Sequence, residues 1–94
     1  MINFPNILLP YSIERHQFVA KRLKEIRVAM GVSQETLGMY VGVTRQTIRN
    51  IEDGKAALRK PLCIALCAIM DFECATNLTF RITLEEMLTE EGLL

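Results

Sequence analysis

The stretch from Ser33 to Gly54, SQETLGMYVGVTRQTIRNIEDG, constrains the fold more tightly than any other part of the chain. Ser33 and Thr44 stand where a side-chain oxygen caps a helix start, and Gly42 and Gly54 stand where a helix stops. Leu37 and Val41 supply the inward pair of one short helix, Gln34 to Val41. Ile48 and Ile51 do the same for a second, which opens at Thr44 and runs to about Asp53. Isolated helices below roughly 12 residues are marginal in water. The two are therefore expected to pack on each other across Gly42-Val43, a unit that holds its second helix outward.

Geometry predicts what that second helix shows to solvent. At about 100° per residue, with inward taken midway between Ile48 and Ile51, Gln46 and Asp53 point almost straight out. Arg49 and Asn50 lie about 130° from the core direction, and Arg45 is on the flank. Arg45, Gln46, Arg49 and Asn50 are the side-chain types that pair with base edges, Arg with guanine and Gln or Asn with adenine. The plainer reading is a polar surface on an exposed helix, and composition alone leans to it.

The remainder of the chain bounds the function classes. Ninety-four residues make one domain, with room for a single core and none for a two-domain enzyme. The longest apolar run, Pro61 to Met70, is about half the roughly 20 residues that cross a bilayer, and no basic stretch precedes an apolar one at the start. A soluble, uncleaved, cytoplasmic protein with no membrane partner is expected. The odd number of cysteines, Cys63, Cys67 and Cys74, two of them inside that run, points to a reducing compartment. Cys63 and Cys67 read as buried core thiols, because only Cys74 and His16 remain to complete a four-ligand zinc site. His16 reads as a surface residue or phosphate contact, not a catalytic base. With no phosphate loop, glycine-rich nucleotide fingerprint or nucleophile–base arrangement, the expectation is no catalytic residue, no cofactor and no metal.

Apolar spacing predicts the other elements. Residues 1–11, MINFPNILLPY, read as an extended apolar arm that covers its own domain or a second copy. From a cap at Ser12 to a stop at Gly31, Val19, Leu23, Ile26 and Met30 form one helical stripe. Pro61 opens a fourth helix with Leu62, Leu66, Ile69 and Met70 inward. Leu78, Phe80 and Ile82 alternate with Thr79, Arg81 and Thr83, the period of a strand over 78–82. Thr83 and Glu86 then form a capping box before a fifth helix over 84–90. The expected fold is all-α, five helices with a short C-terminal β-strand addition: the arm 1–11, a helical domain 12–72 with its motif at 33–54, and a dimerisation segment 73–94.

Charge is balanced overall but not along the chain. Residues 1–60 hold ten Lys/Arg against five Asp/Glu, and residues 61–94 hold one against six. That asymmetry points to a basic face for a polyanion and an acidic end turned away from it.

Ser33-Gln34, Leu37, Gly42-Val43, Ile48, Ile51, Glu52 and Gly54, at these spacings and after KRLKEIR, resemble the helix-turn-helix domain of the phage repressor and Cro family, over Val19 to Phe72. The resemblance implies a phosphate contact at Gln34, major-groove base reading by Arg45, Gln46 and Asn50, and an ion pair between Arg27 and Glu52. Glu52, only about 70° from the core direction, wants such a partner on physical grounds as well. Thr44 and Thr47 at the start of the third helix, and Lys55, Arg59 and Lys60 after it, are further phosphate candidates. Which of the three cations takes part is left open by a 55–60 stretch longer than usual. Gly38 stands where the family has alanine, and Glu73 to Thr83 is not the family's usual link. The reading is a sequence-specific regulator of transcription on double-stranded DNA. It would act as a homodimer through the arm, strand 78–82 and/or helix 84–90. Two other readings stay open: an antitoxin with a toxin partner, and a protein-interaction module that has lost DNA.

Overall fold

The computed structural model describes residues 11–94, and five helices follow one another along them: α1 (Ile13–Met30), α2 (Gln34–Val41), α3 (Arg45–Glu52), α4 (Lys60–Thr76) and α5 (Leu78–Glu90). Ser12 Oγ accepts the backbone N–H of Arg15 at 3.1 Å and starts α1, and Gly31, at φ 76°, ends it. Val19, Leu23, Ile26 and Met30 are all buried, as their spacing predicts, and Phe18 joins them. Ser33 and Thr44 cap α2 and α3 through the N–H groups of Thr36 and Thr47. The two short helices pack chiefly against each other, α3 also against α1 and α2 against α4.

In α4 the inward face is Cys63, Leu66, Cys67, Met70 and Cys74. Leu62 and Ile69, expected inside, are only half-buried at its edge. The face is turned because α4 packs between α1, α2 and α5 and not against one neighbour.

The expected strand over 78–82 is not there; among the described residues there is no strand, and the helix expected from 84 begins at Leu78. Asn77 makes the difference. Its Oδ1 accepts the N–H of Phe80 at 3.1 Å and caps the helix start. Phe80, Leu84, Met87 and Leu88 then recur at helical spacing and are all buried. The alternation misled because Leu78 and Ile82, 65% and 49% exposed, sit one turn apart outside, and only Phe80 points in. Thr83 forms no capping box; it lies inside the helix, its hydroxyl donating to the Thr79 carbonyl at 3.0 Å. A helix satisfies its own backbone where a lone strand has no partner, and core contacts override the β preference of Thr and Ile.

The arm proposed over 1–11 lies outside the described residues except for Tyr11. That ring packs against the core, its hydroxyl meets His16 Nδ1, and Lys60 Nζ stands 4.7 Å above it. At the other end of the chain, Glu90 and Glu91 fold back on α1. Arg22 bonds Glu90 at 2.8 Å and Glu25 at 2.7 Å, and Lys21 pairs with Glu91 at 3.0 Å. The acidic end thus neutralises cations of α1 and leaves those of α3 and the following loop uncovered.

Arg15, 1% exposed, is a charged side chain inside the hydrophobic core. Burial holds its pKa down, while a hydrogen bond and the nearby charges of Cys67, Cys63 and Asp71 oppose that. Cys67 donates its S–H to Cys63, which brings Cys63 down to about 7 and pushes Cys67 up. Cys74, apart from this group, is pushed up to about 12 by burial.

Candidate nucleic-acid interface

Ile48 and Ile51 anchor α3 in the core, and everything the helix offers to solvent follows from that. Arg45, Gln46 and Arg49 are exposed and Asn50 is half-buried beside them. The Gln46 amide donates to Asn50 Oδ1 at 2.9 Å, so the two amides are held as one unit. That unit still presents the Gln46 carbonyl as acceptor and the Asn50 amide as donor. Arg49 leans toward Asp53, Nε to Oδ2 3.6 Å, with both ends well exposed, whereas Arg45 has no acidic neighbour of that kind in the structure's ion pairs among the described residues. A guanidinium, a carboxamide acceptor and a carboxamide donor therefore stand on one exposed face.

The base of α3 is fixed by an ion pair. Arg27 Nε meets Glu52 Oε2 at 2.6 Å and Arg27 Nη2 meets Oε1 at 3.1 Å, a forked contact, while Nη1 donates to the Val32 carbonyl at 2.9 Å. The Glu52 side chain is 1% exposed and that of Arg27 12%. The Gln34 amide donates to Glu52 Oε1 at 3.0 Å. Gln34 thus faces inward toward Glu52 with one N–H, leaving its other amide atoms for any external contact. Sequence spacing carried no sign of this third member. The network joins the end of α1, the start of α2 and the end of α3, so the angle of α3 is set by all three.

Thr44 and Thr47 lie together at the start of α3, hydroxyl to hydroxyl 3.1 Å. After α3 the chain is pinned, with the N–H groups of Lys55 and Ala56 both donating to the Asn50 carbonyl, at 2.8 and 3.2 Å. Lys55, Arg59 and Lys60 are all exposed. Arg59 lines, with Thr47 and Asn50, a groove of about 470 Å³ beside α3, whereas Lys60 turns to Tyr11. His16 holds this loop from behind, its Nε2 donating to the Leu58 carbonyl at 2.6 Å.

Gly38 has a reason that sequence spacing hides. A Cβ on it would sit 2.6 Å from the Val43 carbonyl oxygen, closer than real Cβ contacts come, so α2 crosses the α2–α3 turn at a distance only glycine permits. Among the described residues no three His, Cys, Asp or Glu side chains gather as a metal site requires, and no helix is long and apolar enough to cross a membrane.

Comparison with known proteins points the same way as the geometry. A family model described as helix-turn-helix matches residues 23–75. An uncharacterized HTH-type transcriptional regulator of Bacillus subtilis (strain 168), YgzD, is 46% identical over 46 residues, which is 49% of this chain and 70% of that protein. No solved structure matches at a significant level.

Proposed function

The chain belongs to the helix-turn-helix family of the phage-repressor and Cro type, and from that premise we propose that it is a transcriptional regulator that binds double-stranded DNA sequence-specifically through α3. The observation that carries the reading is the outward face of α3, with Arg45 beside a hydrogen-bonded Gln46–Asn50 pair on a helix whose other side is locked into the core. In the major groove Arg45 takes a guanine edge and the amide pair an adenine edge. Arg49 joins them when it leaves Asp53. Thr44, Thr47, Arg59 and Lys55 surround this face and hold phosphates, with Gln34 contributing the amide atoms that Glu52 does not use. Lys60, turned toward Tyr11, is the most distant contributor. No catalysis is assigned.

One such face contacts few base pairs, and a two-fold dimer doubles them over half-sites about 34 Å apart. Leu78 and Ile82, exposed on one side of α5, and Val28, next to Thr79 and Thr83, supply apolar surface for a second copy. Glu90 and Glu91 are engaged with Lys21 and Arg22 of α1.

Selection of bound duplexes from a random pool tests the proposal. The expected winners contain an inverted repeat, and log K for them falls against log salt with slope about −4 to −5, as for about five neutralised phosphates. No enrichment, with binding indifferent to salt, refutes it.

A further inference from the structure

Phosphate contacts would use only the rim of the groove of about 470 Å³ beside α3 and leave its floor unexplained. That floor is apolar. Val41 and Val43 line it from the end of α2 and the turn, Ile51 from α3, and Leu62 and Ala65 from α4; Ile51 is buried and the other four are half-buried. The rim carries Thr47, Asn50 and Arg59. Arg59 is exposed and takes part in no ion pair among the described residues. No acidic side chain lines the groove, and residues 1–10 contain none. Asn50 has both its oxygens taken, Oδ1 by the Gln46 amide at 2.9 Å and the backbone carbonyl by the N–H groups of Lys55 and Ala56 at 2.8 and 3.2 Å. Its side chain is left with N–H donors alone.

We propose that this groove binds a small amphipathic carboxylate, an apolar body with one anionic end, and that the bound acid releases DNA from α3. The release rests on the regulator reading; the site does not. The volume lies within the roughly 300–1,000 Å³ of small-molecule sites, which combine an apolar lining with a few convergent polar groups. Arg59 and Asn50 offer only donors, and the guanidinium fork of Arg59 matches a carboxylate. A neutral or cationic head group would leave that guanidinium without a counter-charge, and a phosphodiester strand along the rim would leave the floor wet. The body of the acid takes the floor out of water, while its carboxylate takes Arg59 and the Asn50 amide. Both are groups that the DNA face needs, and a bound carboxylate repels the phosphate that Arg59 would otherwise hold. Acid and duplex therefore oppose each other, and by linkage each weakens the other by the same factor.

The test titrates the full, isotope-labelled chain with phenylbutyrate, indoleacetate and octanoate, followed at the backbone amides by NMR. At least one of the three acids is expected to saturate a single site, with the largest shifts at Val43, Ile51 and Ala65. The matching neutral carboxamide, and the acid on Arg59→Gln, bind about tenfold or more weakly, the loss expected for a hydrogen bond to a charged group. Ala65→Phe fills the floor and abolishes acid binding while holding the duplex selected from the random pool as the wild type does. Circular dichroism verifies its fold, and Ala65→Met replaces it where the phenylalanine variant does not fold. Saturating acid at constant ionic strength weakens the wild type's hold on that duplex about tenfold or more, the lower end of ordinary coupling between two sites, and leaves Ala65→Phe unaffected. Saturable shifts with none of the acids, shifts centred away from the groove, a carboxamide bound as tightly as its acid, or full acid binding by Ala65→Phe each overturns the site. Acid bound in the groove with duplex affinity unchanged overturns the release. The titration contains no DNA, so acid bound on these terms by a chain that selects no duplex upholds the site and refutes the regulator reading alone.

Discussion

Replacing Arg27 with alanine strikes the joint on which α3 rests. Glu52 receives three hydrogen bonds, two from Arg27 and one from Gln34, and its side chain is 1% exposed. The substitution leaves a carboxylate in the core with one neutral amide donor. Stranding one member of a buried pair costs about 3–5 kcal/mol, against about 1 kcal/mol or less for an exposed pair. Burial of Glu52 places this pair in the first class. The converse change, Glu52→Ala, is milder, about 1–3 kcal/mol, because Arg27 is 12% exposed and keeps the Val32 carbonyl at 2.9 Å. The double variant Arg27→Met with Glu52→Leu recovers most of the loss, since an apolar pair of similar volume often matches a buried ion pair. Urea denaturation of the four proteins, compared at equal slope, gives the cycle. A loss below about 1 kcal/mol for Arg27→Ala, or a larger loss for Glu52→Ala than for Arg27→Ala, refutes the reasoning.

Other expectations follow from single contacts. Gly38→Ala gains the helix preference of alanine, about 1 kcal/mol, but drives a Cβ to 2.6 Å from the Val43 carbonyl, a backbone atom that cannot rotate aside. The net effect is a destabilisation of about 1–3 kcal/mol, read from the urea midpoint; a stabilised variant contradicts the close approach. For the proposed dimer through α5, Ile82→Lys, on that helix's exposed side, is expected to sediment as monomer where the wild type sediments as dimer, while the monomer's stability moves by no more than about 0.5 kcal/mol. An unchanged dimer moves the interface off α5. Thr44→Ala removes the oxygen that accepts from the N–H of Thr47 at 3.2 Å and costs about 1 kcal/mol. Stability unchanged within error shows that the cap contributes nothing.

What the sequence made legible and what it hid divide along a physical line. Helix starts and stops between Ser12 and Gly54 are written by local chemistry, hydroxyl caps and glycines with φ near 76°, and they stand where the residues put them. That Glu52 needs a cation was legible from its partly inward direction, while the choice of Arg27 as that cation came from the family resemblance. The region after Pro61 was less so. Leu78, Phe80 and Ile82 alternate in sequence, but whether alternation means strand depends on where the core lies, and α1 and α4 place it under Phe80, Leu84 and Leu88. The cap at Asn77 was a local signal that alternation overshadowed. The inward turn of Gln34, the coupling of Gln46 to Asn50 and the closeness of Gly38 to Val43 are distances between elements, and no spacing within one helix encodes them.

The most direct test of the whole account compares two equilibria for Arg45→Ala/Gln46→Ala/Asn50→Ala. One is thermal unfolding, the other binding to the selected duplex and to a scrambled duplex at the same salt. Side chains that project from α3 to read bases predict a melting point nearly unchanged, weak binding to both duplexes retained through phosphate contacts, and the preference for the selected duplex gone. A variant that melts far below the wild type, or one that still prefers the selected duplex as strongly, contradicts it.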